Sequence, residues 1–130
     1  MNVKSVLFFT KESLDLLKKS TSANILVTSS ISAVYPAKLV GVYGMGKAAI
    51  TNMVQWLAQE LMDYNIRVNA VGPGVTRTNM MDSMSKVAAK LPPKSIAYPS
   101  QIASVVAMIC SKDGNFVNGE TFLLTGGYRL

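Results

Sequence analysis

The sequence predicts an α/β fold in which a parallel sheet carries helices on both faces. Three short runs rich in aliphatic residues, at positions 24–29, 67–71 and 121–124, alternate with longer segments of helical periodicity. Short apolar runs are typical of parallel strands, and the helical segments between them would carry the chain back across the sheet. Three strands are few for this class of fold, so we expect an incomplete sheet.

The first two elements are predicted to be a helix and a buried strand. Residues 3–19 mix apolar and charged side chains at helical spacings. Residues 24–29 read Asn-Ile-Leu-Val-Thr-Ser, with almost no polar interruption, as expected for a parallel strand covered on both faces. Because the chain opens on a helix, this first strand needs a neighbour.

Residues 43–63 predict a long central helix, since the segment contains no proline. One apolar stripe, which would pack on the sheet, consists of Ile50, Met53, Val54, Leu57 and Leu61. A second stripe consists of Met45, Ala49 and Trp56. Two apolar sides favour a subunit interface, although a helix buried within a monomer would show the same pattern.

The remainder of the chain predicts two further strands and another helix. Residues 67–71 form a strand that ends at Gly72-Pro73-Gly74, and ligands of open α/β sheets bind at such strand ends. Residues 78–99 are rich in Met, Ser and Lys, with a short helix predicted near 85–91. Ser100 is the predicted cap of the next helix, and residues 121–124 form the last strand. We therefore expect one partial domain over residues 1–130.

The composition excludes several kinds of chemistry. The chain has no histidine and one cysteine, Cys110, so Ser-His-Asp and Cys-His mechanisms are excluded, and so is a zinc site made of cysteines. We expect no metal site. Acid-base chemistry must then come from Tyr, Lys, Asp or Glu. Cys110 lies on the inner face of the predicted last helix, which favours a core position over a catalytic one.

The net charge of +6 does not by itself identify a partner. The lysines are dispersed along the sequence, which favours a solvated basic surface over nucleic-acid binding. A basic groove for a phosphorylated cofactor would give the same charge balance. No apolar run is long enough to span a membrane. Low cysteine content and the lack of a secretory pattern favour the cytoplasm, whereas the ending Tyr128-Arg129-Leu130 only partly matches a peroxisomal signal.

Tyr43 and Lys47 are the candidate acid-base pair. They are four residues apart in a predicted helix, so their side chains project from the same face. A nearby ammonium favours the phenolate form of a tyrosine. Ser30 follows the first predicted strand, thirteen positions before Tyr43 (43 − 30), and would lie beside the same crevice.

These residues resemble the pattern of the short-chain dehydrogenase/reductases. The family has a serine at a strand end and, thirteen residues later, Tyr-x-x-x-Lys, here Tyr43-Gly44-Met45-Gly46-Lys47. Residues 65–78, Asn-Ile-Arg-Val-Asn-Ala-Val-Gly-Pro-Gly-Val-Thr-Arg-Thr, resemble its second signature. Asn2, twenty-eight positions before Ser30, matches the asparagine of its catalytic tetrad. The motifs span nearly the whole chain and imply the carboxyl-terminal half of a Rossmann-like doubly wound sheet.

The resemblance implies a catalytic role for four residues. Tyr43 would exchange a proton with a carbonyl or hydroxyl oxygen of the substrate, and Ser30 would donate a hydrogen bond to that oxygen. Lys47 would lower the pKa of the tyrosine and bind the ribose of the nicotinamide. Asn2 would hold a water molecule that links Lys47 to solvent.

The resemblance also implies a cofactor site. Pro73, Gly74 and Val75 would meet the carboxamide of the nicotinamide, and Thr78 would lie near the phosphates or the amide of the cofactor. The stretch at residues 117–121, Val-Asn-Gly-Glu-Thr, and the Arg-Leu ending are similar to those of carbonyl reductases of the dehydrogenase/reductase member-4 type, which use NADPH. NADP(H) is therefore expected rather than NAD(H).

Two family features do not occur within residues 1–130. These are the Gly-x-x-x-Gly-x-Gly loop that holds the pyrophosphate and the second-strand position that selects between NAD and NADP. We expect an NAD(P)-dependent oxidoreductase acting on a small carbonyl or alcohol, or a truncated form with impaired activity. It would form a homo-oligomer through the 43–63 helix. The alternative is a catalytically inactive protein that retains the helices for oligomerisation.

Overall fold

The structure, a computed structural model, describes residues 2–83 and 89–128. The helices are α1 (Asn2–Leu17), α2 (Gly41–Glu60), α3 (Asn79–Ser83) and α4 (Pro99–Cys110). The strands are β1 (Ala23–Thr28), β2 (Ile66–Pro73) and β3 (Thr121–Leu124). Short 3₁₀ turns lie at Ile31–Ala33, Met62–Tyr64, Pro93–Ser95 and Lys112–Gly114. Helix and strand alternate as the sequence predicts.

The strands form a parallel sheet in the order β1-β2-β3. In the first pair, Ala23 lies opposite Ile66 and Thr28 lies opposite Val71. In the second pair, β3 lies along the carboxyl-terminal half of β2, from Ala70 to Pro73. All three strands therefore end on the same side of the sheet, where the candidate residues follow them. The predicted fold class, a doubly wound parallel sheet, is confirmed.

Side chains of β2 that point to opposite faces of the sheet contact different helices. Ile66, Val68 and Ala70 are buried in a cluster with residues of α2, and apolar residues of α1 pack against the same cluster. Arg67, which points to the opposite face, donates a 3.0 Å hydrogen bond from Nη2 to the carbonyl oxygen of Ile109 in α4. Successive residues of a strand face opposite sides, so α1 and α2 cover one face and α4 covers the other.

The observed elements differ from the predicted ones at several ends. Helix α2 begins at Gly41, two residues before the predicted start, and β2 continues through Pro73. Ser100 was predicted to cap α4, but it does not. The helix begins at Pro99, and the amide of Tyr98 donates a 2.8 Å hydrogen bond to Oε1 of Gln101. Proline at the first position needs no amide partner, and the cap is Tyr98, two residues before the predicted one.

Two burial expectations were wrong. Cys110 is exposed rather than buried, because it is the last residue of α4, and its Sγ accepts a 3.3 Å hydrogen bond from Nδ2 of Asn24. Strand β1 is largely half-buried rather than covered, since β2 is its one partner in the described sheet. The helix predicted near residues 85–91 lies mostly outside the described residues. Within the described chain, no helix is both long and apolar enough to cross a membrane.

Candidate functional site

The side chain of Lys47 is fixed at the carboxyl end of β1. Its Nζ donates a 2.8 Å hydrogen bond to the carbonyl oxygen of Thr28, the last residue of that strand. Burial lowers the pKa of Lys47 below its ordinary value, because partial removal from water penalises the ammonium. The ammonium has three N–H groups, and the bond to Thr28 uses one of them. Lys47 is therefore anchored while it keeps donors for a ligand.

A second contact joins the backbone of Lys47 to the same strand end. Ser29 is buried, and its Oγ donates a 3.1 Å hydrogen bond to the carbonyl oxygen of Lys47. Ser29 Oγ also lies 2.9 Å from Oγ1 of Thr51. The amide of Ser29 donates a 2.7 Å bond to the carbonyl oxygen of Val71 in β2. One buried serine thus holds α2 against the ends of two strands.

Ser30 lies at the start of the 3₁₀ turn Ile31–Ala33 and is buried. Its Oγ accepts a 3.2 Å hydrogen bond from the amide of Ser32. This bond uses a lone pair of the hydroxyl and leaves its hydrogen for donation to a ligand. The geometry therefore suits Ser30 to donate to an oxygen on the substrate.

Gly44 allows the turn that carries Ser30 to approach α2 closely. A Cβ at Gly44 would lie 2.8 Å from the carbonyl oxygen of Ser32. Gly44 is next to Tyr43, so this approach brings the Ser30 turn against the part of α2 that carries Tyr43. Gly72, near the end of β2, also lies beside Ser30, since a Cβ there would be 3.5 Å from the Ser30 carbonyl oxygen. The ends of β1 and β2 and the start of α2 therefore meet at Ser30.

Tyr43 lies one helical turn before Lys47, and its side chain is 43% exposed. The Nζ of Lys47 is 5.7 Å from the centroid of the Tyr43 ring. A cation at this distance interacts electrostatically with the ring. The predicted pair is thus close in space, and Tyr43 is accessible to a ligand in the crevice.

The segment after β2 forms the adjacent wall of the crevice. The amide of Gly74 donates a 2.9 Å hydrogen bond to the carbonyl oxygen of Leu124, and the carbonyl oxygen of Val75 accepts a 2.9 Å bond from Ala97. Pro73 is the last residue of β2 and is paired with Leu124. These contacts place the predicted Pro73, Gly74 and Val75 at the ligand-binding side of the sheet.

Two predicted residues are not brought to the Ser30 and Lys47 cluster by any described contact. Thr78 is exposed, and its Oγ1 donates a 3.3 Å bond to the carbonyl oxygen of Thr76. Asn2 is the first residue of α1, but its side chain lies outside the described part of the structure. The predicted site residues did not include Thr28, Ser29 or Thr51. A signal was present for Thr51, which follows Tyr43 and Lys47 at the same four-residue interval on α2.

The donors at this site fit the nicotinamide-ribose end of a dinucleotide. Lys47 and Ser30 offer N–H and O–H groups to hydroxyl or carbonyl oxygens, and the hydroxyl of the partly exposed Tyr43 can donate or accept a proton. Among the described residues, no group of three or more Cys, Asp or Glu side chains could hold a metal ion. The arrangement is suited to proton transfer at an oxygen atom.

Comparison with known proteins gives consistent matches over almost the entire chain. A family model described as enoyl-(acyl carrier protein) reductase matches residues 1–129. Dehydrogenase/reductase SDR family member 4 of Sus scrofa is 33% identical over an alignment of 134 positions. The alignment covers 98% of this chain and 48% of that protein. The chain thus spans about half the length of the curated relatives it matches.

Solved structures give the same result. A 3-oxoacyl-[acyl-carrier protein] reductase of Brucella melitensis with bound NAD is 28% identical, with a TM-score of 0.85 over 99% of this chain and 49% of that one. A 7α-hydroxysteroid dehydrogenase complexed with NADH and 7-oxo glycochenodeoxycholic acid is 26% identical. Its TM-score is 0.88, over 98% of this chain and 52% of the other. The fold and the sequence motifs therefore agree.

Proposed function

Because this chain belongs to the short-chain dehydrogenase/reductase family, we propose that it serves an NAD(P)-dependent oxidoreductase that interconverts a small carbonyl compound and an alcohol. The observation that supports this most directly is the bond from Lys47 Nζ to the carbonyl oxygen of Thr28, beside Ser30 and Tyr43. It holds the ammonium at the carboxyl end of β1, two residues before Ser30 and one helical turn from Tyr43. The likeness to dehydrogenases and reductases supports the reaction class.

In this proposal, three side chains divide the work on the substrate oxygen. Tyr43 donates a proton to that oxygen during reduction and accepts one during oxidation. Ser30 donates a hydrogen bond to the same oxygen, because the Ser32 amide uses one lone pair of the hydroxyl and leaves its hydrogen available. The ammonium of Lys47 lies 5.7 Å from the Tyr43 ring centroid and interacts electrostatically with that ring. Asn2 is proposed to hold a water molecule near Lys47.

The proposed cofactor is NADP(H) rather than NAD(H). A nicotinamide bound in the crevice would supply or accept the hydride. Lys47 and Tyr43 would bind its ribose hydroxyls, and Pro73, Gly74 and Val75 would contact its carboxamide. Thr78 would lie near its phosphates or amide. The choice of NADP(H) rests on the resemblance of residues 117–121 to reductases of the member-4 type.

We further propose a homo-oligomer that forms through α2. Met45 is 66% exposed and Trp56 is 47% exposed, so the second apolar stripe of α2 remains open to solvent. An apolar groove beside it is lined by Leu7, Phe8, Leu14, Trp56, Leu57 and Leu61 of α1, α2 and the residue after α2. Exposed apolar surface of this kind favours association with another surface. We propose a cytoplasmic location, which the single cysteine supports.

Calorimetric titration with NADPH and NADH tests the cofactor site. We expect saturable binding that weakens when Lys47→Met removes the ammonium, because the donors to the ribose are lost. Lys112→Met, in the 3₁₀ turn Lys112–Gly114, removes an equal charge far from the proposed site and should leave binding unchanged. Equal effects of both substitutions, or an absence of binding, would favour an inactive protein that retains only association.

A further inference from the structure

Most of the net positive charge falls in three segments of the sequence. The segments that follow the strand carboxyl ends, residues 29–40, 74–98 and 125–130, contain six basic residues and one acidic residue, which gives +5. The rest of the chain contains seven basic and six acidic residues, which gives +1 and completes the total of +6. Five of the six net positive charges thus fall in the sequence segments that follow the strand carboxyl ends.

The described charges in these segments are Lys38, Arg77, Lys90 and Lys94, and all four are exposed. Lys86, Arg129 and the side chain of Asp82, the acidic member, lie outside the description. A wall of one charge sign beside a crevice raises the local concentration of ligands of the opposite sign. The charge distribution therefore favours an anionic ligand at this end of the sheet.

Arg77 is the member of this group whose position is fixed. Its guanidinium lies 4.8 Å from the centroid of the Tyr98 ring. Its amide donates a 2.9 Å hydrogen bond to the carbonyl oxygen of Ala97, and Ala97 donates in return to Val75. In the described residues, no carboxylate forms an ion pair with Arg77. The amide and ring contacts hold Arg77 in place, and no carboxylate among the described residues neutralises its charge.

Backbone contacts place Arg77 and Lys94 beside the strand ends. Thr76 forms a parallel bridge with Ala97, directly after the Gly74 turn that follows β2. A Cβ at Gly126 would lie 2.7 Å from the carbonyl oxygen of Lys94, so this part of the chain packs against the end of β3. Both basic residues therefore belong to the wall of the crevice that contains the candidate site.

We propose that Arg77, stacked on Tyr98, binds an anionic group of the substrate, so that the substrate is a small carbonyl compound bearing a carboxylate or phosphate. A stacked guanidinium has its face covered and its N–H edge free, which suits two parallel hydrogen bonds to one anion. Lys94 adds attraction from the same wall. The assignment of the ligand as a substrate rests on the proposed oxidoreductase function. The anion site itself rests on the geometry around Arg77.

The test is an NMR titration that follows the amide signal of Ala97, which bonds to Val75 beside Arg77. The matched probes are 4-oxopentanoate and its methyl ester, which differ in charge at one end. We expect 4-oxopentanoate to bind about tenfold more tightly than the ester, as a hydrogen-bonded ion pair allows. Arg77→Gln should abolish this preference, Arg77→Lys should retain part of it, and Lys112→Gln should leave it intact.

Equal binding of acid and ester, or an equal loss in Lys112→Gln, would overturn the proposal. Circular dichroism of Arg77→Gln checks that the variant is folded, and Arg77→Lys provides a second, conservative variant. NADPH and NADH form another arm of the experiment. If Arg77→Gln weakens NADPH alone and leaves 4-oxopentanoate unaffected, the anion is the cofactor phosphate and the substrate assignment is wrong.

Failure of the oxidoreductase proposal would have a different signature. Tyr43→Phe removes the proposed proton donor but leaves Arg77 and Tyr98 in place. It should therefore retain the preference for 4-oxopentanoate over its methyl ester, because both probes carry the same ketone. Anion binding without turnover of any carbonyl compound would support the Arg77 site and contradict the proposed oxidoreductase chemistry. Turnover without a preference for the anionic probe would support the chemistry and contradict the Arg77 site.

Discussion

The Nζ of Lys47 donates a 2.8 Å hydrogen bond to the carbonyl oxygen of Thr28. This contact joins the second turn of α2 to the last residue of β1, two elements that are separated by twelve residues of connecting chain. It fixes a partly buried ammonium at the position where parallel sheets bind ligands. The properties of this lysine therefore provide a direct probe of the site.

Lys47 is predicted to titrate at a lower pH in the folded protein than in the unfolded chain. Burial disfavours its ammonium form, so its pKa is lowered on folding. NMR of ¹³C-labelled lysine Cε groups, with Lys47→Arg used for assignment, should show the Lys47 transition at a lower pH in the folded than in the urea-unfolded protein. A transition at the same pH in both states would contradict the prediction.

The same shift predicts how stability varies with pH. The unfolded chain binds the proton on Lys47 more tightly than the folded protein does, so the burial penalty is present below the folded-state pKa. The penalty disappears as the pH rises from the folded-state value to the unfolded-state value. Denaturation of the wild-type protein should show a rise in stability across this window that Lys47→Met lacks.

Ser29→Ala is predicted to destabilise the protein by about 1 to 2 kcal/mol, because it removes a buried hydroxyl that bonds to Lys47 and Thr51. Urea denaturation measures this change. Ser104→Ala is a matched control, since its exposed hydroxyl bonds only to the carbonyl oxygen one turn earlier in α4. Thr51→Val should add little in the Ser29→Ala background, because the two hydroxyls share one interaction. Full additivity would contradict this shared role.

Two glycines in the same helix are predicted to respond to alanine in opposite ways. At Gly46, a Cβ would have nothing within 4 Å, so Gly46→Ala should stabilise the protein by about 1 kcal/mol through helix propensity. At Gly44, the Cβ would lie 2.8 Å from the carbonyl oxygen of Ser32, so Gly44→Ala should cost about 1 kcal/mol or more. Thermal denaturation measures both changes. Equal stabilisation would show that the close approach to the Ser30 turn is not required.

Trp56→Glu is predicted to reduce self-association, because it places a charge in the apolar stripe of α2. Light scattering coupled to size-exclusion chromatography should show a smaller species than the wild-type protein. Phe116→Glu changes a fully exposed aromatic residue before β3 and should leave the mass unchanged. A wild-type protein that is already monomeric would refute the proposed oligomer.

The sequence predicted the helices and strands well, because hydrophobic periodicity and the Gly and Pro residues between elements depend only on neighbouring positions. The strand at residues 121–124 has the predicted bounds, and α2 begins two residues early. The predicted neighbours Tyr43 and Lys47 are close because one helical turn joins them. These features depend on short-range spacing, which a single sequence shows directly.

Other features depend on contacts that a single sequence does not show. Ser29 acts through a bond to a residue eighteen positions away, and Arg77 is held by Tyr98 across an intervening segment. Cys110 is exposed because α4 ends at that residue, and a proline at position 99 moved the start of the same helix away from Ser100. The outcomes at Cys110 and Ser100 depend on where a helix begins or ends, which is the least certain part of a sequence-based prediction.

Turnover of a panel of carbonyl compounds with NADPH or NADH, compared between the wild-type protein, Tyr43→Phe and Tyr64→Phe, tests the central claim most directly. Tyr64 is an exposed tyrosine in the turn after α2, with Lys18 over its ring, and serves as the control. We predict that Tyr43→Phe lowers the rate by about a hundredfold or more, as loss of a proton donor does, and that Tyr64→Phe leaves it unchanged. Equal rates in the wild-type protein and Tyr43→Phe, or no turnover by the wild-type protein, would contradict the account.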